Sequence, residues 1–348
     1  IDFVEKDSTK ISWDRSQINN LEKGKNIKFN QGAVKLSLYR PFYKTWLYSD
    51  SLFNNCVYQI PIIFPNEIDI NNFVIAVTGT GAKSGLSTLI TDLIPDQHLL
   101  DSYAQCFPYK IFDSQKQFFS NLNNQSYESG VNEFVVSALS NFYKVKINEI
   151  EVMRYIYGIL HSEFYKKTFK NNLSKEIPRI PFSRNVDNFF DFVNAGEKLI
   201  QLHMNYETVE KYPAKLNEGT LNFQEIVDPI SFFKVEKMKF ETKEDLTTII
   251  YNQNIKITEI PKESWDYIVS GKPALKWVME RQGISRDSSS GIINDTNDFA
   301  LETMNSPSYP LDLFLRVITV SLETLEIIEG MPKLNEENML GYEEIFSK

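Results

Sequence analysis

The residues with the clearest chemical potential form a glycine-rich stretch, Thr78-Gly79-Thr80-Gly81-Ala82-Lys83-Ser84-Gly85. A phosphate-cradling loop needs Gly-Lys-Ser/Thr with another glycine five residues before that Gly, so that backbone N–H groups converge on the anion. Here Ala82 precedes Lys83-Ser84, and the spacing fails. The stretch reads as a plain hairpin turn, or as a loop that touches a ligand such as DNA. His98, His161 and His203 have no Cys or His neighbour at metal-ligand spacing. Cys56 and Cys106 lack the surroundings of a nucleophile, and there is no Gly-x-Ser-x-Gly elbow. Pro95-Asp96 and Glu241-Thr242-Lys243, about 145 residues apart, match a metal-dependent nuclease only by chance. No Asn/Asp-Pro-Pro-Tyr stretch occurs, which excludes an amino-methyltransferase active site from this chain. These absences describe a chain that is not an enzyme by itself.

The elements that must position these residues change in character along the chain. Thr45–Tyr48, Cys56–Ile60 and Phe73–Val77 read as strands, with Leu86–Ile90 returning after the glycine stretch and Ala104–Tyr109 as another. Apolar residues then recur at three and four. Ile147–Phe169 carries Met153, Ile156, Leu160 and Phe164, and Asp187–Tyr206 carries Phe189, Val193, Leu199 and Leu202, each the pattern of an amphipathic helix. Ile177–Phe182, with two prolines, is extended. Further helices are expected over Pro261–Val269, Ala274–Arg281 and Leu311–Ile328, while 205–230 and 284–308 read as connectors. The fold class is α+β: a mostly antiparallel β region within about 35–110, a helical region, and an acidic helical C-terminal subdomain.

Of the 348 residues 42% are apolar and 24% charged, the composition of an ordinary globular protein; the aromatic share of 13% is high. No apolar run approaches about 18 residues and no signal sequence opens the chain, so a membrane span is excluded. Two cysteines fit a reducing, cytoplasmic compartment. A first residue of Ile rather than Met points to a piece of a longer polypeptide. The net charge of −9 by itself argues against nucleic acid. Its distribution points the other way. Residues 241–348 hold 10 Lys+Arg against 19 Asp+Glu, and residues 1–240 hold 27 of each. Between Lys144 and Arg184 nine basic residues face four glutamates, room for a local basic surface.

Several blocks, in order along nearly the whole chain, resemble the C-terminal specificity domain of type ISP restriction-modification enzymes. They are Ser37-Leu38-Tyr39-Arg40-Pro41-Phe42, Trp46-Leu47-Tyr48, Tyr58-Gln59-Ile60-Pro61, Thr91-Asp92-Leu93-Ile94-Pro95-Asp96 and Gln105-Cys106-Phe107-Pro108. Tyr155-Ile156-Tyr157-Gly158-Ile159-Leu160-His161-Ser162, Ile177–Phe182, Leu202-His203-Met204-Asn205-Tyr206-Glu207, Trp265–Arg281 and Leu311–Leu325 continue the series. The resemblance implies a domain without activity of its own. It would recognise a short double-stranded DNA site for a neighbouring adenine-N6 methyltransferase and for ATP-driven translocation and cleavage. S-adenosylmethionine, ATP and Mg would belong to the other domains of the parent enzyme. Residues 1–55, with Trp13, Tyr39, Phe42 and Trp46, would be a connector packing on the methyltransferase. Residues 56–240 would form the recognition core and 241–348 the acidic subdomain.

Because reading residues are expected to differ among members of a specificity family, the recognisable blocks are expected in the core or facing the methyltransferase. Tyr155, Tyr157 and Phe164 read first as helix packing and second as DNA-facing; Arg40 reads as an internal salt-bridge partner, and His161 as structural. Lys83, Arg154, Lys166, Lys167, Arg179 and Arg184 are expected to contribute to one positive face. Lys83, Ser84, Ser87 and Thr88 are expected to supply donors from the glycine loop beside it. A protein-interaction or scaffolding module without DNA contact is the alternative, favoured by the acidity and the aromatic content.

Overall fold

The computed structural model describes residues 5–26, 28–54, 57–65, 71–112, 127–217, 226–243 and 245–346. A capped helix, α1 (Arg15–Glu22), precedes the antiparallel hairpin of β1 (Val34–Arg40) and β2 (Tyr43–Tyr48). The hairpin turns through Pro41 and Phe42, and Phe42 takes a left-handed φ of 58°. That conformation costs a non-glycine residue about 1–2 kcal/mol. Burial of the Phe42 ring, edge-on to Tyr206 at 5.3 Å, offsets it. Lys44, beyond the turn, pairs with Glu207 at 2.6 Å, and the Tyr309 hydroxyl donates to the same carboxylate at 2.5 Å. Two blocks of the family resemblance therefore meet as a buried joint. Arg40 is the internal partner expected of it, 2.6 Å from Asp96.

The strand expected over Cys56–Ile60 is corrected: Cys56 lies outside the described residues, and Ile60 begins a single helical turn, α2 (Ile60–Ile63). Pro61 sits at its start, where a missing N–H leaves no bond unmade. Next come β3 (Val74–Val77), β4 (Thr88–Thr91), β5 (Ile94–Pro95) and β6 (Gln105–Pro108). β3 pairs antiparallel with both β4 and β6, while β5 adds to β1 in parallel. β7 (Lys110–Phe112) pairs antiparallel with β8 (Tyr127–Ser129), and α3 (Glu133–Tyr143) and α4 (Glu149–His161) follow. The single helix expected to Phe169 breaks at Ser162, whose hydroxyl accepts from the Tyr165 N–H and caps a new start. The pieces are α5 (Glu163–Thr168) and α6 (Lys170–Leu173), before the long α7 (Val186–Met204).

The C-terminal part is mixed rather than purely helical. β9 (Lys215–Leu216), α8 (Pro229–Phe233), β10 (Lys239–Phe240), β11 (Ile249–Ile250) and β12 (Lys256–Thr258) include a small antiparallel sheet. Where a helix to Val269 was expected, only Lys262–Trp265 coils; β13 (Ile268–Val269) and β14 (Lys272–Pro273) form a hairpin. The reason is Ser270-Gly271, both left-handed, at φ 51° and 78°, which suits a two-residue hairpin turn. α9 (Ala274–Arg281) follows, then a hairpin of β15 (Ile284–Arg286) and β16 (Ile293–Asp295), then α10 (Thr296–Glu302). The buried α11 (Tyr309–Glu329) and the short α12 (Tyr342–Phe346) end the chain.

Strand alternation divides the interior in two. Ala76 and Leu89, opposite each other, face a core shared with Tyr251, Trp265, Phe314 and Val317. Ile75, Val77 and Ile90 point the other way, into a core with Leu139, Tyr155, Phe189 and the tail residues Leu334 and Leu340. Across the second core α4 and α7 cross backbone to backbone. A methyl group on Gly196 would lie 1.8 Å from the Arg154 carbonyl oxygen, and one on Gly158 would lie 2.6 Å from that of Phe192. The closeness traps the Tyr155 ring between Phe182 and Phe189, with its hydroxyl donating to the Pro181 carbonyl at 2.9 Å. Packing is thus the reading the structure supports for Tyr155 and Tyr157, both fully buried.

Between the cores lies a polar joint. His203 contacts the Tyr157 hydroxyl through Nδ1 at 2.7 Å and the Thr324 hydroxyl through Nε2 at 2.8 Å, while His161 Nδ1 faces the Tyr157 carbonyl at 2.9 Å. Burial holds His161 well below its ordinary pKa and pulls His203 down to about 3, and the nearby Lys166 ammonium acts in the same direction. Both are neutral in the fold. In the unfolded chain they take up protons below about pH 6.5, so the unfolded state binds more protons there and stability rises with pH. The stability these two groups contribute is fully present above about pH 6.5 and falls as pH drops through the window toward 3. The melting temperature is expected to decline between about pH 6.5 and 5, and to decline less steeply in His203→Gln. Gly196→Ala is expected to cost at least about 1–3 kcal/mol by overpacking. Gly330→Ala, with nothing nearer than 3.5 Å to its added methyl, should change the melting temperature little.

Candidate nucleic-acid interface

The glycine loop joins β3 to β4 and is bound into two other turns. The Gly79 N–H donates to the Asp101 carbonyl at 3.1 Å, and the Ser84 N–H to the Asp101 carboxylate at 3.0 Å, which holds that carboxyl below the usual range. The Asp101 N–H in turn donates to the Ser270 hydroxyl at 2.7 Å, and the Ser270 N–H to the Ser87 hydroxyl at 2.8 Å. Gly79 has no room for a side chain, since a methyl there would sit 1.8 Å from the Ser102 carbonyl oxygen. Gly81 and Gly85 have left-handed φ, as do Ser102, Tyr103, Ser270 and Gly271. Three turns are thus interlocked by a closed set of short bonds, and the loop is anchored at both ends.

This arrangement separates the residues expected at the site. Lys83 is exposed at the tip. Ser84 is half-buried, its Cβ facing Gly271. Ser87 and Thr88 are buried; Ser87 accepts from Ser270, and Thr88 donates to the Ala76 carbonyl at 3.0 Å. Both hydroxyls are engaged in bonds within the fold.

The expected basic residues divide by partner. Arg154 pairs with Glu197 of α7 at 2.6 Å, Lys167 with Glu163 at 3.3 Å, and Arg179 with Glu176 at 2.8 Å. Arg184 makes two 2.6 Å bonds to Glu344 and donates through Nε to the Glu337 carbonyl, fastening the C-terminal tail to the start of α7. Lys166 is half-buried, and burial lowers its ammonium pKa. What joins loop and basic segment is a backbone bond: the Gly81 N–H donates to the Ser174 carbonyl at 3.0 Å. Ser174 lies between Lys170 and Lys175. Lys83, Lys170 and Lys175 are exposed, and no acidic group among the described residues lies within 4 Å of their ammonium groups. Lys170 and Lys175 belong to the basic segment, but nothing in the sequence distinguishes them there; only tertiary pairing separates them from their neutralised neighbours.

Elsewhere the chemistry is quiet. No group of His, Cys, Asp and Glu among the described residues could hold a metal ion, and burial pushes the Cys106 thiol up to about 12. No helix among the described residues is long and apolar enough to cross a membrane.

The interlocked turns sit on a two-core scaffold, with Lys83, Lys170 and Lys175 exposed at their margin. The family model of the type ISP C-terminal specificity domain matches residues 1–313, and the chain belongs to that family. Among solved structures it is similar to a nuclease-deletion mutant of the type ISP restriction-modification enzyme LlaGI in complex with a DNA substrate mimic. The TM-score is 0.77 and the identity 32%, covering 96% of this chain and 28% of that one. It is also similar to the ATP-dependent type ISP enzyme LlaBIII bound to DNA, with TM-score 0.80 and 30% identity, covering 93% of this chain and 20% of that one. A DrdV–DNA complex aligns with TM-score 0.75 and 25% identity over 95% of this chain and 31% of that one. The chain spans a third or less of each of these proteins. Among curated proteins none matches.

The Arg184 clasp and the Arg179 pair differ in consequence. Arg184→Ala is expected to lower the melting temperature and to open residues 333–346 to limited proteolysis. Arg179→Ala, at a side chain 85% exposed, should do neither.

Proposed function

We propose that this chain recognises a short double-stranded DNA sequence on behalf of a type ISP restriction-modification enzyme. The observation that carries the reading is its fold, shared over more than nine-tenths of the chain with DNA-bound type ISP enzymes. The acidic net charge does not oppose it, because three unpaired cations are gathered at one place. Lys83, Lys170 and Lys175 contact phosphates and set position, and the interlocked turns beside them face base edges. Adenine-N6 methylation, translocation and cleavage are carried out by other domains, which supply S-adenosylmethionine, ATP and Mg sites. Recognition lets the methyltransferase extrude one adenine from the stack. The hairpin of β1 and β2, with Trp46 52% exposed and Phe29 stacked on Tyr48, is the surface that meets the methyltransferase.

The test is duplex binding by the full-length enzyme as a function of salt. Tight binding to one sequence over a weaker, salt-dependent background is expected. Lys83→Ala, Lys170→Ala and Lys175→Ala should each weaken binding to all duplexes and shallow the log-log salt slope by about one unit, with the melting temperature unchanged. Equal affinity for all sequences would contradict the reading.

A further inference from the structure

The turn that follows Leu99 and Leu100 carries a feature that packing does not account for. Ser102 and Tyr103 are consecutive non-glycine residues with left-handed φ, 61° and 63°. Each side chain there crowds its own carbonyl, and such strain persists only where surrounding contacts over-determine it. Those contacts are present: Gly79 presses on the Ser102 and Tyr103 carbonyls, Asp101 is bonded on both sides, and the Ala104 N–H donates to the Gln97 carbonyl at 2.9 Å. The Phe42 ring, in its own left-handed turn, is buried. The Tyr103 ring is instead 54% exposed, and its aromatic neighbour is His98, 4.8 Å away and tilted by 45°. Its hydroxyl has no partner among the described residues. The turn therefore holds an aromatic side chain outward in a strained conformation, directly against the loop that carries Lys83.

We infer that Tyr103 is a specificity-determining residue that contacts base edges of the DNA site. This rests on the DNA-recognition reading above. Three properties fit the role. The side chain is uncharged, so it adds little to sequence-independent phosphate attraction. It combines an apolar ring face, suited to a thymine methyl, with a hydroxyl that donates and accepts. Its backbone is locked to a scaffold whose free cations lie one loop away, so phosphate contacts at Lys83, Lys170 and Lys175 set the register in which the ring meets the groove.

Glycine accepts a left-handed φ without strain, so Tyr103→Gly removes the ring while easing the turn. In the full-length enzyme this variant is expected to melt at or above the wild-type temperature. Binding is measured against a duplex carrying the enzyme's methylation site and against single-base variants at every position of it. The ratio of affinities, cognate over variant, is expected to fall about 5- to 100-fold at one or two positions, with background affinity kept. An unchanged ratio at every position overturns the inference, as does a uniform loss for all duplexes or a marked drop in melting temperature. Wild-type enzyme that binds cognate and variant duplexes alike overturns the recognition reading itself. Wild-type discrimination matched by Tyr103→Gly overturns this inference alone.

Discussion

The close approach of α4 and α7 at Gly158 and Gly196 is the constraint on which the molecule depends. With a methyl group at either position the helices would have to part, because the obstacle is backbone carbonyl and not a movable side chain. Their contact fixes Tyr155 between aromatic rings and sets Tyr157 over His203, which reaches Thr324 of α11. Through β4, which contributes Ile90 to one core and Leu89 to the other, the same packing reaches the glycine loop. Packing thus runs from the helices to the strand in which the loop ends.

The same packing leaves the exposed side chains of Lys83 and Tyr103 out of the bonds that hold these turns. The bonds closing the three turns involve backbone groups and the short side chains of Ser87, Asp101 and Ser270. Lys83 and Tyr103 project from positions whose backbone is already held, so their side chains can change with little effect on the core. The blocks of family resemblance include the Ser270-Gly271 turn and joints such as Phe42 against Tyr206.

Legibility in the sequence follows the range of the interactions. β3, β4 and α7 are visible because periodic burial is written in local order, and Arg40 is visible as an internal partner. The break at Ser162 is hidden because a capping serine inside an apolar pattern looks like any other polar position. Ser87 and Thr88 look like donors for a ligand because their hydroxyls are used by Ser270 and Ala76, distant from them in sequence or hidden by strand direction. The same holds for charge. Lys170 and Lys175 differ from Arg154 and Arg184 only in lacking an acidic neighbour in space. Tyr103 is invisible for a sharper reason: left-handed backbone is announced by glycine, and here a tyrosine adopts it.

If this chain sets the DNA sequence preference of an enzyme that contains it, that preference moves with the chain. The most direct measurement transplants it in place of the specificity domain of a related type ISP enzyme and maps every methylated adenine in genomic DNA by single-molecule sequencing. The account predicts that the methylated sequence changes to a new one defined by this chain, while the methyltransferase remains that of the host enzyme. Methylation at the host enzyme's original sequence would contradict it.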